Sequence, residues 1–119
     1  EASRVLFVES DEDALINLKK NIKNLKLENQ AAVYSKDVLE FFEDSNLEKK
    51  IDLAFLDPPY ANEKYIEIIK IIKKNDILSK KHILILHRER GSNKNLLDKL
   101  NIVENRIYGR SEIFFLKLF

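Results

Sequence analysis

Four consecutive residues, Asp57-Pro58-Pro59-Tyr60, carry the sharpest chemical signal in the sequence. They follow an apolar run, Ile51 to Leu56, that is typical of a buried strand, and two prolines cannot continue a central strand. Each proline fixes φ and removes a backbone donor, so the segment forms a rigid platform that presents a carboxylate, two carbonyls and an aromatic ring. Such a platform suits a flat substrate with an amino group. The alternative is structural: a proline-stopped strand with a helix-capping Asp and a core Tyr.

The elements that must position this platform alternate along the chain between strand-like and helix-like segments. A Gly109-Arg110-Ser111 turn separates the last two strands and indicates an antiparallel hairpin. The alternation predicts an α/β fold with an open, mostly parallel sheet and helices on both faces. The predicted strands are Arg4 to Val8, Ala31 to Tyr34, Ile51 to Leu56, Ile83 to Leu86, Ile102 to Tyr108 and Ile113 to Phe119; the predicted helices are Asp11 to Leu25, Val38 to Phe42, Glu63 to Lys74 and Asn93 to Leu100.

Ligands of such sheets bind at the carboxyl ends of the strands. The informative residues are therefore those that follow each predicted strand. These are Glu9 to Asp11, Ser35 to Asp37, Asp57 to Tyr60 and His87 to Arg90.

Composition excludes several classes of protein. The 119 residues predict one domain over 1–119, and 45% hydrophobic with 34% charged residues exclude a disordered polyelectrolyte. A net charge of +1 gives no global signal for nucleic acid, and the absence of Cys excludes disulfides and zinc-thiolate sites. No signal peptide or membrane span is recognisable, so we expect a soluble, cytoplasmic protein. With two Gly, the chain has no glycine-rich phosphate loop.

The chain resembles the S-adenosylmethionine-dependent methyltransferases that act on exocyclic amines of nucleobases, whose motif is (D/N/S)-P-P-(Y/F) after the fourth strand. More closely, it resembles the bacterial guanine-N2 methyltransferases of 16S ribosomal RNA. Supporting matches are Ala2 to Glu9 with the family's second strand, Asp37 to Phe42 with its D-a-l-x-F-L segment, and Tyr108 to Ser111 with its C-terminal hairpin. The resemblance implies a Rossmann-like class I methyltransferase fold and a ribosomal RNA or small-subunit particle as partner.

The resemblance also assigns roles to residues. Glu9, with Ser10 beside it, would bind the cofactor ribose; Asp37 and the Val38 backbone would bind the adenine. Asp57 and the Pro58 carbonyl would hold the target amine close to the cofactor, within a motif completed by Pro59, and Tyr60 would stack on the guanine. Independently of the resemblance, Arg88, Arg90, Lys94 and Arg110 are candidates for a basic rim that binds phosphates, and a solvated surface explains them equally well. The implied reaction is direct SN2 transfer of a methyl group from a sulfonium to nitrogen, without a metal and with S-adenosylhomocysteine as the product.

The sequence also departs from this family. Nothing in it matches the family's first strand and glycine-rich cofactor loop, so it resembles the C-terminal two-thirds of such an enzyme. We expect two strand edges to be exposed at the gap, and the isolated chain to be weakly stable or to dimerise there. Without the loop, the isolated chain is expected to be inactive. His87 stands where family members often carry an acid, and His82 is predicted to lie on the surface.

Other functions remain open. A phosphoacceptor receiver domain would place Glu9, Asp11 and Asp57 around Mg²⁺, with Asp57 as the acceptor. The two prolines after Asp57, and a chain that ends in a strand, count against it. A non-catalytic α/β interaction module is a third possibility. Within the methyltransferases, adenine-N6 and other amine-directed enzymes use related motifs.

Overall fold

The computed structural model describes residues 2–44, 47–59, 63–92 and 97–119. The chain divides into two compact units, Glu1–Asn46 and Leu47–Phe119. Strands and helices alternate through both units, as the sequence predicts.

The first unit is a β-α-β-α segment. Strands β1 (Val5–Glu9) and β2 (Ala31–Ser35) pair in parallel, with Glu9 opposite Ser35, so both strands end at the same edge. Helix α1 (Glu12–Asn24) begins where the Asp11 side chain accepts a hydrogen bond from the Ala14 N–H at 2.8 Å, an N-cap. Helix α2 (Val38–Asp44) buries Phe41 and Phe42, and Phe41 packs against the Tyr34 ring at 4.9 Å between centroids.

The second unit contains β3 (Ile51–Leu56), α3 (Tyr65–Lys74), β4 (Leu78–Glu89), β5 (Ile102–Tyr108) and β6 (Ser111–Leu116). Its four strands lie in the order β3-β4-β6-β5. β3 and β4 are parallel, whereas β6 runs antiparallel to both β4 and β5. The predicted hairpin is therefore confirmed, with Tyr108 opposite Ser111 across a two-residue turn that begins at Gly109, whose φ is +59°.

The core of this unit lies on one face of the sheet. Along β4, every second residue from His82 to Arg88 is buried, because successive side chains of a strand point to opposite faces. Helix α3 buries Tyr65, Ile68, Ile69 and Ile72, the i, i+3, i+4, i+7 pattern of an amphipathic helix. Leu84, Leu86, Phe114 and Leu116 of the sheet are buried as well.

Two predictions about β4 were wrong. The strand begins at Leu78, not at Ile83, and His82 is not on the surface, because its side chain is fully buried. The alternation of β4 places His82 on the same face as Leu84. Its Nδ1 lies 2.7 Å from the Ser79 carbonyl oxygen, and its Nε2 accepts a hydrogen bond from the Leu118 N–H at 3.0 Å.

Half of the predicted helix from Asn93 to Leu100, residues 93–96, falls outside the described residues. Within their units, β1 pairs with β2 and β3 pairs with β4, and both β1 and β3 are edge strands. Pairing of such edges with a second copy stays a prediction. Among the helices of the described part, none has the length and apolarity to cross a membrane.

Candidate active site

Several polar groups of the second unit meet at one end of its sheet, where the parallel strands β3 and β4 have their carboxyl ends; we call this end the carboxyl edge of the sheet. β3 and β4 are parallel, so Asp57, just after β3, lies beside the last residues of β4. β6 runs the other way, so its first residue, Ser111, also lies at this edge, opposite Glu89. The topology thus brings together three segments that are distant in sequence.

Asp57, His87 and Ser111 form a chain of hydrogen bonds. His87 Nδ1 lies 2.8 Å from Asp57 Oδ1, and His87 Nε2 lies 2.9 Å from Ser111 Oγ. An ionised carboxylate only accepts, so His87 Nδ1 donates to Asp57 Oδ1, while Nε2 and the Ser111 hydroxyl share the second hydrogen bond. The Asp57 side chain is 56% exposed and the His87 side chain 19% exposed. The carboxylate can therefore be reached from solvent, while its partner is largely enclosed.

Arg88 holds the same platform from the opposite face of β4. Its Nη1 donates to the Pro59 carbonyl at 3.1 Å, with the Pro58 carbonyl at 3.5 Å. Its Cζ lies 4.7 Å from the centroid of the Tyr65 ring, a cation–π contact. Consecutive residues of β4 thus anchor the Asp-Pro-Pro segment from both faces of the sheet.

This position of Arg88 corrects one expectation. A phosphate-binding rim and a solvated surface, the two interpretations of Arg88 from the sequence, both require an exposed side chain, but the residue is 2% exposed. The reason is again the alternation of β4, which assigns Arg88 to the buried face with Leu86. Its guanidinium donates hydrogen bonds to the backbone carbonyls of the platform.

Tyr65 lies beneath Arg88 and is 1% exposed. Burial raises the pKa of its phenol above the usual value, partly opposed by the Arg88 charge, with Glu63 adding a smaller increase. Among the described residues, none accepts from or donates to its hydroxyl. The ring contributes packing and a π-face for Arg88.

The remaining basic residues differ from Arg88. Arg110, in the hairpin turn, is highly exposed, and its Nη2 donates to Glu89 Oε1 at 2.8 Å. Arg90 is exposed as well. A phosphate contact by either residue stays a prediction. Lys94 and Tyr60, the predicted stacking residue, lie outside the described residues.

The first unit presents two carboxylates after its parallel strands. Glu9 Oε1 accepts from the Asp11 N–H at 3.1 Å, and Asp37 Oδ1 accepts from the Leu39 N–H at 2.9 Å. Asp37 therefore caps α2. In each carboxylate, the second oxygen has no hydrogen-bond partner among the described residues and can accept from a ligand. Ser10 and Val38 stand next to these groups in the chain, Ser10 being exposed and Val38 half-buried.

These acceptors fit the cofactor that the sequence analysis implies. Ribose hydroxyls and an adenine amino group are donors, and charge-assisted hydrogen bonds to carboxylates are strong. No group of three or more metal-ligating side chains occurs within the described part of the chain.

The fold is that of the class I methyltransferases, as comparison with solved structures shows. A conserved hypothetical protein from Streptococcus pyogenes superposes with a TM-score of 0.84 at 26% identity, over 97% of this chain and 72% of that one. A candidate methylase from Haemophilus influenzae gives a TM-score of 0.78 at 22% identity, over 95% and 71%.

The chain belongs to the family described as "Conserved hypothetical protein 95", whose model matches residues 1–117. A curated relative, "Ribosomal RNA small subunit methyltransferase D" of Haemophilus influenzae, is 29% identical over 91 residues, 76% of this chain and 47% of that protein. An "Uncharacterized methylase" of Rickettsia prowazekii is 27% identical over 73 residues, 60% of this chain and 31% of that protein. The chain thus spans about a third to a half of the curated relatives it matches.

Family membership bears out the resemblance stated from the sequence. It disfavours the receiver domain, as do the two antiparallel pairings of β6. Sequence reasoning gave no role to two residues that the structure connects to the platform, His87 and Tyr65. The signal for His87 was its place at the end of β4, level with Asp57 on the parallel neighbour.

Proposed function

We propose that this chain forms part of an S-adenosylmethionine-dependent methyltransferase that modifies the exocyclic N2 amine of a guanine in small-subunit ribosomal RNA. The observation that carries the proposal is the Asp57 platform. It is a carboxylate and two proline carbonyls at the carboxyl edge of the sheet, fixed by His87 on one face and Arg88 on the other. Family membership and the name of the Haemophilus relative support the same class of reaction.

The platform supplies acceptors for a planar amine. Asp57 Oδ1 is engaged by His87, whereas Oδ2 has no hydrogen-bond partner among the described residues. A carbonyl oxygen has two lone pairs, and the 3.5 Å approach of Arg88 leaves the Pro58 carbonyl able to accept a second donor. Oδ2 and the Pro58 carbonyl are therefore the two acceptors we assign to the amine hydrogens. Tyr60 is assigned to stack on the base.

Positioning should supply most of the rate. The bound cofactor supplies an activated methyl group on a sulfonium, so the chain has little acid–base chemistry to perform. Its task is to hold the amine nitrogen at about 3 Å from the methyl carbon, with its lone pair aligned. After transfer, the nitrogen carries an extra proton, which Asp57 Oδ2 can accept. A rigid platform serves this task because a small misplacement of the amine slows the step strongly.

Cofactor binding is assigned to the first unit. The second carboxylate oxygens of Glu9 and Asp37 follow parallel strands whose ends are in register. Glu9 is assigned to the ribose hydroxyls, with Ser10 beside it, and Asp37 to the adenine amino group, with the Val38 backbone beside it. Asp57 is assigned to the target amine that receives the methyl group.

The identity of the base is the finer part of the proposal. Asp57 can accept from guanine N2 or adenine N6 equally well. The ribosomal relative supports a ribosomal RNA substrate, and the sequence resemblance supports guanine. Adenine-N6 methylation is the second candidate, and analysis of the modified nucleoside separates the two.

Calorimetric titration with S-adenosylhomocysteine tests the cofactor assignment. The protein should bind with micromolar Kd, and Glu9→Gln should weaken binding at least about tenfold, equivalent to about 1.4 kcal/mol. Glu28→Gln is the matched control, because it removes the same charge from an exposed turn before β2, at the opposite end of the strand. Equal affinity in the two variants would contradict the assignment of Glu9 to the cofactor.

A further inference from the structure

We propose that His87 is a positioning residue that fixes the rotamer of Asp57, with Ser111 locking the imidazole from its other side. This inference rests on the proposed function, since it concerns how Asp57 meets the amine. It assigns the C-terminal hairpin a part in building the acceptor platform.

Asp57 needs an external anchor. Its side chain is more than half exposed and follows the last residue of β3, so packing alone does not hold it. The 2.8 Å contact from His87 Nδ1 occupies Oδ1 and orients the carboxylate plane. Once Oδ1 is fixed, the carboxylate keeps one orientation, and Oδ2 is then presented to the amine in that orientation. Orientation of this kind is what a methyl transfer requires of the platform.

The imidazole is itself held in place. His87 lies within β4, and its Nε2 lies 2.9 Å from Ser111 Oγ. Ser111 begins β6, the strand between β4 and β5, and is paired with Glu89 on one side and Tyr108 on the other. Its hydroxyl therefore projects from backbone fixed on both sides. With a single proton on Nδ1, the ring donates to Asp57 Oδ1 and accepts from the Ser111 hydroxyl at Nε2.

Steady-state kinetics test whether His87 affects the reaction by positioning the Asp57 carboxylate. We expect His87→Ala to lower kcat by about 10- to 100-fold, the scale of a misplaced reacting group, with KM for S-adenosylmethionine within about twofold of wild type. His87→Asn keeps an N–H donor close to the Nδ1 position and should recover much of the loss. In the Asp57→Asn background, His87→Ala should have little further effect, because its target has already changed.

Ser111→Ala distinguishes a loss of positioning from misfolding, because it removes one hydroxyl and leaves the strand intact. It should lower kcat in the same direction as His87→Ala, by a smaller factor, without lowering Tm. The proposal is overturned if His87→Ala keeps kcat within twofold of wild type. It is also overturned if His87→Ala costs the same factor with and without Asp57→Asn, since that is the behaviour of a purely structural residue.

A nitrogen-15 NMR spectrum of the imidazole separates this proposal from the proposed function. It needs neither cofactor nor RNA. The proposal expects His87 to carry its proton on Nδ1, and expects Asp57→Ala to abolish that preference. A ring protonated on Nε2, or one insensitive to Asp57→Ala, would overturn the proposal even in an active enzyme. Absence of methyl transfer with the expected NMR signature would instead count against the proposed function.

Discussion

Replacement of Arg88 by methionine tests whether the platform depends on a buried cation. Arg88→Met keeps an unbranched, largely apolar side chain and removes the guanidinium, which is 2% exposed and donates to the Pro59 carbonyl at 3.1 Å. A hydrogen bond from a charged donor contributes about 1.5–3 kcal/mol, and a desolvated cation–π contact contributes up to about 2 kcal/mol. Part of this is offset, because the variant no longer buries a charge, which costs several kcal/mol of desolvation.

The net expectation is a loss of about 2 kcal/mol in the free energy of unfolding, measured by urea denaturation at pH 7. Arg88→Lys should recover only part of it, because an ammonium lacks the planar fork that reaches the carbonyls and stacks on Tyr65. Lys80→Met is the matched control, since it removes an exposed cation from the same strand and should change stability by less than about 0.5 kcal/mol.

The same variant should slow methyl transfer more than it weakens cofactor binding, because the platform loses an anchor while Glu9 and Asp37 are unchanged. Arg88→Met with wild-type stability and wild-type turnover would refute the reasoning. A variant that lost affinity for S-adenosylhomocysteine as much as it lost turnover would show that Arg88 serves the cofactor instead.

Three further predictions concern single side chains. Tyr65→Phe should be neutral or up to about 1 kcal/mol more stable at pH 7, because it removes a buried hydroxyl without a hydrogen-bond partner among the described residues. Burial raises the pKa of Tyr65, so the folded state holds this proton more tightly than the unfolded state. The stability it contributes is full below about pH 10 and is lost as the pH rises through the higher folded pKa. Tyr65→Phe should therefore lose less stability between pH 9 and 11, and parallel alkaline melting curves would count against this. His82→Leu should cost about 1–3 kcal/mol, because the Leu118 N–H loses its acceptor; an unchanged urea midpoint would exclude this role. Tyr60→Ala should slow methyl transfer to RNA by the equivalent of about 1–3 kcal/mol of lost stacking, while the affinity for the cofactor is unchanged. An equal loss of cofactor binding would contradict the assignment of Tyr60 to base stacking.

Much of the fold could be predicted because its signals are local. The Ile-rich run from Glu63 to Lys74 indicated α3, and the helical pattern from Asp11 to Leu25 indicated α1. The first half of β4 was missed because Lys80, Lys81 and His82 are polar. There the strand is held by pairing and by tertiary contacts of His82, which sequence patterns do not reveal.

The candidate site was predictable only as far as strand ends could be placed. Parallel strands end at one edge, which placed Asp57 and His87 in the same region. The face on which each side chain of β4 lies depends on the register against α3 and β6. In that register the Arg88 side chain lies in the core, and the His87 side chain lies beside Asp57. Since this is a property of the packed sheet, a solvated rim could not be distinguished from a buried anchor in the sequence.

The role of the Asp57 platform in guanine methylation is tested by transfer of a labelled methyl group from S-adenosylmethionine to small-subunit ribosomal RNA, followed by nucleoside analysis. We expect the protein, in its full natural length, to form N2-methylguanosine. We expect Asp57→Ala to abolish the product while binding of S-adenosylhomocysteine stays within about threefold, or 0.7 kcal/mol. Label on adenine N6 would move the proposal to its second candidate. An undiminished yield with Asp57→Ala would contradict the account, because the platform would then take no part in the reaction.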